Sequence, residues 1–202
     1  MISLNWLDLL ILPGVAHGSF LAYTLMRIKR ANREANQVMA LLLVIAVFML
    51  IGRIIWLRYP ASWPIQISLI GDTPIFLFGP LCWWYTRRLL FSNHQLPTST
   101  LLIHFIPATV HLVKSIVYLF MGQESFMRLY QSQFIAWDYL LTEGLAILLN
   151  VGYLWFTIKA IRKYSSIKNE HLAFEQTPLQ FLWVFIGAIG LCLLGWMLGL
   201  KV

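Results

Sequence analysis

Residues 71–90 read GDTPIFLFGPLCWWYTRRLL, an apolar run that carries one carboxylate, two prolines, a Gly-Pro pair and an Arg-Arg near its end. Proline inside a helix removes a backbone hydrogen bond and kinks the chain. A water-soluble core helix tolerates that combination poorly. A membrane span accepts broken backbone where other protein or a water cavity covers it. Pro74 and Pro80, with Gly79 beside the second, therefore predict a span that is bent or locally unwound and central in its bundle. Trp83, Trp84 and Tyr85, followed by Arg87 and Arg88, read as an interfacial anchor at its end.

Composition places the rest of the chain in the same class. Of 202 residues, 59% are hydrophobic and 11% charged, with mean hydropathy +0.73, against about 25% charged in soluble domains. The nine Trp and thirteen Phe suit a protein with two membrane interfaces. The net charge of +7 does not imply nucleic-acid binding, because the basic residues sit in short loops between apolar runs and form no continuous surface. Cys82 and Cys192 lie inside apolar segments and read as reduced residues. The N-terminal MISLNWLDLLILPG lacks the basic start of a cleavable signal peptide and reads as the lead into a first span.

A criterion of roughly 20 mostly apolar residues per crossing predicts an all-α membrane protein. It is a single polytopic domain, with a bundle of six transmembrane helices at 8–27, 37–57, 66–87, 101–121, 136–158 and 179–200. The polar connectors are KRANREAN, RYPASWP, FSNHQLPTS, GQESFMRLYQSQ and KYSSIKNEHLAFEQTP, and Thr177-Pro178 caps the last helix. Ten basic residues, Arg27, Lys29, Arg30, Arg33, Arg87, Arg88, Lys159, Arg162, Lys163 and Lys168, fall on one side. Arg58, Arg128 and Lys201 fall on the other. The positive-inside rule makes the first side cytoplasmic, so both termini are expected outside a bacterial inner membrane. Pro13 in span one and Pro107 in span four predict further kinks, and Gly195-x-x-x-Gly199 predicts close helix packing, within the chain or in a homodimer.

Charges within spans are costly and need partners or a use. Counted from the outer end at about 1.5 Å per residue, Arg53 lies roughly 6 Å deep, Asp72 about 9 Å, and Lys114 and Glu143 about 10 Å. His17 and His111 lie about 14–15 Å in. Two readings compete for this set. The acids and bases pair and hold the bundle together, or they line an outward pocket for a small polar or charged ligand. Both place the four charged side chains in the bundle interior.

Metal and cofactor chemistry find little support. His104 and His111 share a helix face but stand about 10 Å apart along the axis, and the chain has no H-E-x-x-H and no Cys pair of zinc spacing. No phosphate-binding Gly-rich loop and no nucleophile elbow occurs, so the expectation is a non-enzyme without metal or cofactor.

Three stretches carry a family resemblance. LFGPLCWWYTRRLL resembles span three of the bacterial membrane-anchored AraC-type transcriptional regulators, a Gly-Pro-Leu followed by aromatics and a basic end. FLAYTLMRIKRANREANQVMALLLV is similar to their first turn, and HFIPATVHLV to their fourth span, which commonly opens with His and Pro. The three run in the expected order along the chain, and the similarity spans most of residues 10–165. The resemblance implies a sensory bundle of about seven spans followed by a cytoplasmic helix-turn-helix domain that binds promoter DNA. This sequence ends at Val202 after six spans, with no seventh span and no DNA-contacting positions to carry over. The expectation is a fragment of such a regulator or a shortened relative. A small secondary transporter, or a membrane protein that binds a partner through its Gly195/Gly199 face, are the rival readings.

Overall fold

A computed structural model describes residues 6–28, 32–58, 62–91, 102–171 and 179–199, and every regular element among them is helical. In chain order these are α1 (Trp6–Arg27), α2 (Arg33–Arg58), α3 (Ser62–Gly71), a 3₁₀ turn (Thr73–Phe76) and α4 (Phe78–Leu90). Then follow α5 (Ile106–Phe120), α6 (Gln123–Tyr130), α7 (Gln133–His171) and α8 (Leu179–Gly199). Four segments are long and apolar enough to cross a membrane: Arg33–Ile55, Ile65–Leu90, Gln133–Ser166 and Leu179–Leu198. The large apolar side chains left exposed on these helices, Phe48, Leu148 and Val184 among them, form a surface of the kind that a bilayer covers.

The quoted segment is broken as its prolines require. Pro74 occupies the opening turn of the 3₁₀ helix, and Pro80 the first turn of α4, positions where no intrahelical donor is needed. The freed backbone is covered by protein. Asn150 of α7 donates from Nδ2 to the Ile75 carbonyl at 2.9 Å, and Leu77 N–H reaches Pro74 O at 2.8 Å. The segment is also central. α4 packs against α2 and α7, and Ala35, Val38, Leu42, Leu81, Cys82, Tyr85, Ile161, Leu182 and Ile186 form one buried cluster.

Gly79 is less a hinge than a contact. A Cβ there would stand 2.9 Å from Tyr153 Cβ and 3.1 Å from Asn150 Oδ1, so α4 and α7 touch nearly backbone to side-chain root. Gly52 and Gly71 make a second close approach, between α2 and α3.

Several elements differ from their sequence-based expectation. Pro107 does not kink a fourth span but opens α5 at its first turn. α5 is therefore 15 residues, about 22 Å, rather than 101–121. It nonetheless runs antiparallel along the broken segment, from the Phe105 ring beside Trp84 to the Tyr118 carbonyl, which accepts from Gln66 Nε2 at 2.9 Å. The connector after it holds an extra helix, α6, whose Phe126 is fully buried against Ile65 and Tyr118. α7 continues 13 residues past the expected end at 158, to His171, because Lys159 to Ser166 contain no proline or glycine. α1 stays helical across Pro13.

The glycine pair that packs is not the one expected. A Cβ at Gly195 would meet no atom within 4 Å, so no close intramolecular contact forms there, and the surroundings of Gly199 lie outside the described residues. Gly14-x-x-x-Gly18 in α1 does the packing instead. A Cβ at Gly18 would stand 2.8 Å from Val47 Cγ2, and one at Gly14 3.5 Å from Leu50 Cδ1. Small residues one turn apart let α1 lie close along α2.

Candidate functional site: a polar cluster at the helix break

Gly71 ends α3, and Asp72 is the N-cap of the 3₁₀ turn. An aspartate there usually accepts a hydrogen bond from the following backbone, but Asp72 makes no side-chain cap. Its carboxylate instead lies within electrostatic reach of Arg53 on α2 and of Glu143 on α7. Tyr139, one turn before Glu143, shares that face of α7, and both Tyr139 and Trp196 of α8 approach the Glu143 carboxylate. Glu143 is only 6% exposed, and its Oε2 has no hydrogen-bond partner among the described residues. Arg53, Asp72, Glu143, Tyr139 and Trp196 thus meet at the break, drawn from four separate elements.

Lys114, expected in the same group, belongs to a second one. Its Nζ donates to both carboxylate oxygens of Asp138, at 3.0 and 2.9 Å, and to Thr142 Oγ1 at 2.8 Å. Tyr118 Oη adds a longer contact to Asp138 at 3.4 Å. Asp138 and Glu143 are five residues apart, about 140° around a helix at 3.6 residues per turn. Asp138 therefore faces α5, and Glu143 faces the break. The expectation of one set of four interior charges is replaced by a pair, Lys114 with Asp138, and a trio in which Glu143 is buried and Asp72 half-buried but Arg53 is exposed, because its position on α2 turns it to the outside of the bundle.

The histidines also separate. His111 is buried, and its Nδ1 hydrogen-bonds Thr73 Oγ1 at 3.1 Å, a direct tie from α5 to the 3₁₀ turn. Ser115 bonds the His111 carbonyl and the Leu69 carbonyl, closing that side of the break. His17 sits exposed on α1, whose packing partner is α2, so it does not join the cluster. The interior position expected for it fails because Gly14 and Gly18, not His17, face α2. Among the described residues no group of three His, Cys, Asp or Glu is placed to hold a metal ion.

Asp138 was missed by the sequence reading. Its signal was available: Asp138 and Thr142 repeat at i, i+4 on one helix, and Lys114 and Tyr118 do so on the other. A cavity of about 330 Å³ lies on the other side of the break, between α2, α4 and α5. Its walls are Leu41, Ile45, Leu81, Phe105 and neighbours, and it touches the break through Thr73 and Leu77.

The opposite end of the bundle is a belt of cations over aromatics. Arg27 lies over Tyr23, Arg87 over Trp83, Arg88 over Trp84 and Lys159 over Trp155, at 5.1 to 5.9 Å, each pair at i, i+4. Arg88 also forms an ion pair with Glu34, bridging the last turn of α4 to the first turn of α2. α2 and the broken segment are thus tied at both ends, by charge at the break and by Glu34–Arg88 at the belt. Comparison with protein families, curated proteins and solved structures returned no match.

Proposed function

We propose that this chain is the sensory bundle of a bacterial inner-membrane signalling protein, with transcription control as its output. The observation that carries the reading is the broken segment itself. Its 3₁₀ turn is hydrogen-bonded by side chains from α5 and α7, namely His111 and Asn150, and Asp72 at its start lies within electrostatic reach of Arg53 on α2. A ligand that engages Asp72 or Glu143 acts on a backbone segment that has no continuous helical ladder to resist it. Displacement of the turn moves α4, and α4 ends in the Arg88–Glu34 pair. Ligands shift such equilibria only through differential contacts in the two states, and charged groups at a break supply them. The resemblance of residues 77–90 and 104–113 to AraC-type membrane-anchored regulators supports transcription as the output. Any DNA contact would lie outside residues 1–202.

Six crossings with both termini outside is the topology we favour. If α5 did not cross, Arg87–Arg88 and Arg162–Lys163 would lie on opposite faces of the membrane, against the positive-inside rule. α1, at 22 residues, is about 33 Å long and reaches across a hydrocarbon core of about 30 Å. The cation–aromatic belt then marks the cytoplasmic interface, and α6 lies at the outer one.

The test is the transcript profile of native host cells carrying the wild-type gene, D72N or E143Q, with insertion checked by membrane fractionation. The reading expects both variants to insert and to lose the wild-type response. An unchanged profile in both would sink it. Maleimide labelling of Q131C and S166C from opposite sides of the membrane tests the topology. Labelling of both from one side would refute six crossings.

A further inference from the structure

We propose that the cleft between α2, α4 and α5 is a binding site for one acyl chain of a bilayer lipid. The inference goes beyond the sensory reading above, because the cleft lies across the break from Asp72 and its occupancy depends on no signalling output.

The cleft follows from how the broken segment is packed. α2 and α5 both pack against that segment, yet among the described residues they make little contact with each other. The gap between them is floored by Thr73, Leu77 and Leu81 and holds about 330 Å³. Leu81, Thr73 and Ala108 are buried, whereas Leu41 and Leu112 at the rim are exposed. From the rim, exposed Val44 and Phe48 continue along α2, and Ile116 along α5, at the three- and four-residue steps that keep side chains on one helix face. The cleft therefore opens sideways, onto apolar surface of the kind that a bilayer covers.

Wall chemistry selects an apolar guest. Two threonine hydroxyls reach the wall, and both are engaged. Thr73 Oγ1 shares a 3.1 Å hydrogen bond with His111 Nδ1, and Thr109 Oγ1 donates to the Phe105 carbonyl at 3.1 Å. The other lining side chains are Leu, Ile, Phe and Ala. A polar ligand would lose its water there and gain no partner.

Size selects a single chain. Phe105 and Leu112 both line the cleft, and the helix between them advances about 10.5 Å at 1.5 Å per residue. Spread over that length, 330 Å³ corresponds to a channel about 6 Å across. An α-helix with its side chains is about 10 Å across, so another span does not fit inside. An apolar cavity of about 150 Å³ accepts benzene, and roughly twice that volume suits a hydrocarbon chain of about a dozen carbons. A chain seated there packs against Thr73, beside the hydrogen bond that ties α5 to the 3₁₀ turn. It acts as a wedge between α2 and α5 at the break.

The test uses the full chain in nanodiscs of phosphatidylethanolamine and phosphatidylglycerol, doped with a phosphatidylglycerol whose acyl chain carries a diazirine. After irradiation, labelled positions are mapped by peptide mass spectrometry. Labelling at Thr73, Leu77 or Leu81 is expected, beside general labelling at the surface residues Leu148 and Val184. Ala108→Phe fills the cleft from within, and Leu112→Trp narrows it at the exposed rim, where the core is not disturbed. Each variant is expected to lose the floor labels and keep those at Leu148 and Val184. Surface labelling without floor labelling in the wild type overturns the inference, as do floor labels that survive in Leu112→Trp. The measurement is made with one and with two copies per nanodisc. Floor labels lost at two copies would put side chains of a second copy in the cleft, and that outcome also overturns the lipid as its occupant. The sensory reading fails separately, if cells carrying D72N and E143Q keep the wild-type transcript response whatever the labelling shows.

Discussion

Gly79 offers the most direct test of the packing that holds the break in place. Replacing it with alanine adds one methyl group, whose carbon would lie 2.9 Å from both Cβ and Cδ2 of Tyr153 and 3.1 Å from Asn150 Oδ1. Tyr153 Cβ is fixed to the α7 backbone, so rotation of the ring cannot relieve the overlap, and α4 must move away from α7. Overpacking of this kind costs about 1–3 kcal/mol, a factor of about 5 to 140 in the folded population. Gly190 is the matched control. A methyl there would meet only Leu154 Cδ2, at 3.9 Å, an ordinary contact. Any gain from replacing glycine by alanine in a helix, at most about 1 kcal/mol, favours both variants, so the difference between them isolates the overlap. Reversible unfolding in mixed detergent–SDS micelles measures it. G79A is expected to unfold about 1–3 kcal/mol more easily than G190A. Equal stability would show that α4 and α7 are not in contact at Gly79, and the central placement of the broken segment would fall with it.

Asn150→Leu removes the donor that covers the Ile75 carbonyl and should cost about 1–3 kcal/mol for the orphaned acceptor. Amide exchange across residues 75–81 should accelerate, and wild-type protection there would contradict the proposed role. A double-mutant cycle with K114M and D138N should give a coupling energy near 1 kcal/mol, the scale of intramembrane polar pairs; zero coupling would dissolve the pair. Gly18→Leu should destabilise the chain by more than 1 kcal/mol through its clash with Val47. Gly195→Leu should stay within about 0.5 kcal/mol of wild type, and the reverse order would reinstate the C-terminal glycine pair as the packing face.

Much of the helical content follows from what the sequence repeats locally. Apolar runs of membrane length, proline and glycine at fixed places, and aromatics four residues before cations are one-dimensional facts with one-dimensional consequences. They determine α2, α8, the break at Gly71–Pro80 and the cation–aromatic belt, because each depends on neighbours within about two turns of the same chain. The extra helix α6 and the long tail of α7 were missed for a related reason. Polar amphipathic residues such as GQESFMRLYQSQ and KYSSIKNEH are compatible with loop or helix. Phe126, buried under Ile65 and Tyr118, tips the first toward helix through a contact made only in three dimensions.

Azimuth across helices is what only the tertiary structure decided. Depth along each span, counted from its end, gathered Arg53, Asp72, Lys114 and Glu143 into one layer but could not say which faced which. The packed bundle turned Lys114 toward Asp138, buried Glu143 while leaving Arg53 exposed, and set His17 on the outside of α1. It likewise chose Gly14 and Gly18 over Gly195 for close packing. The physical reason is common to all of these. A rotation of 100° per residue fixes which side chains of one helix share a face, and nothing within that helix fixes which neighbour the face will meet. That neighbour is set by the summed fit of every other contact in the bundle.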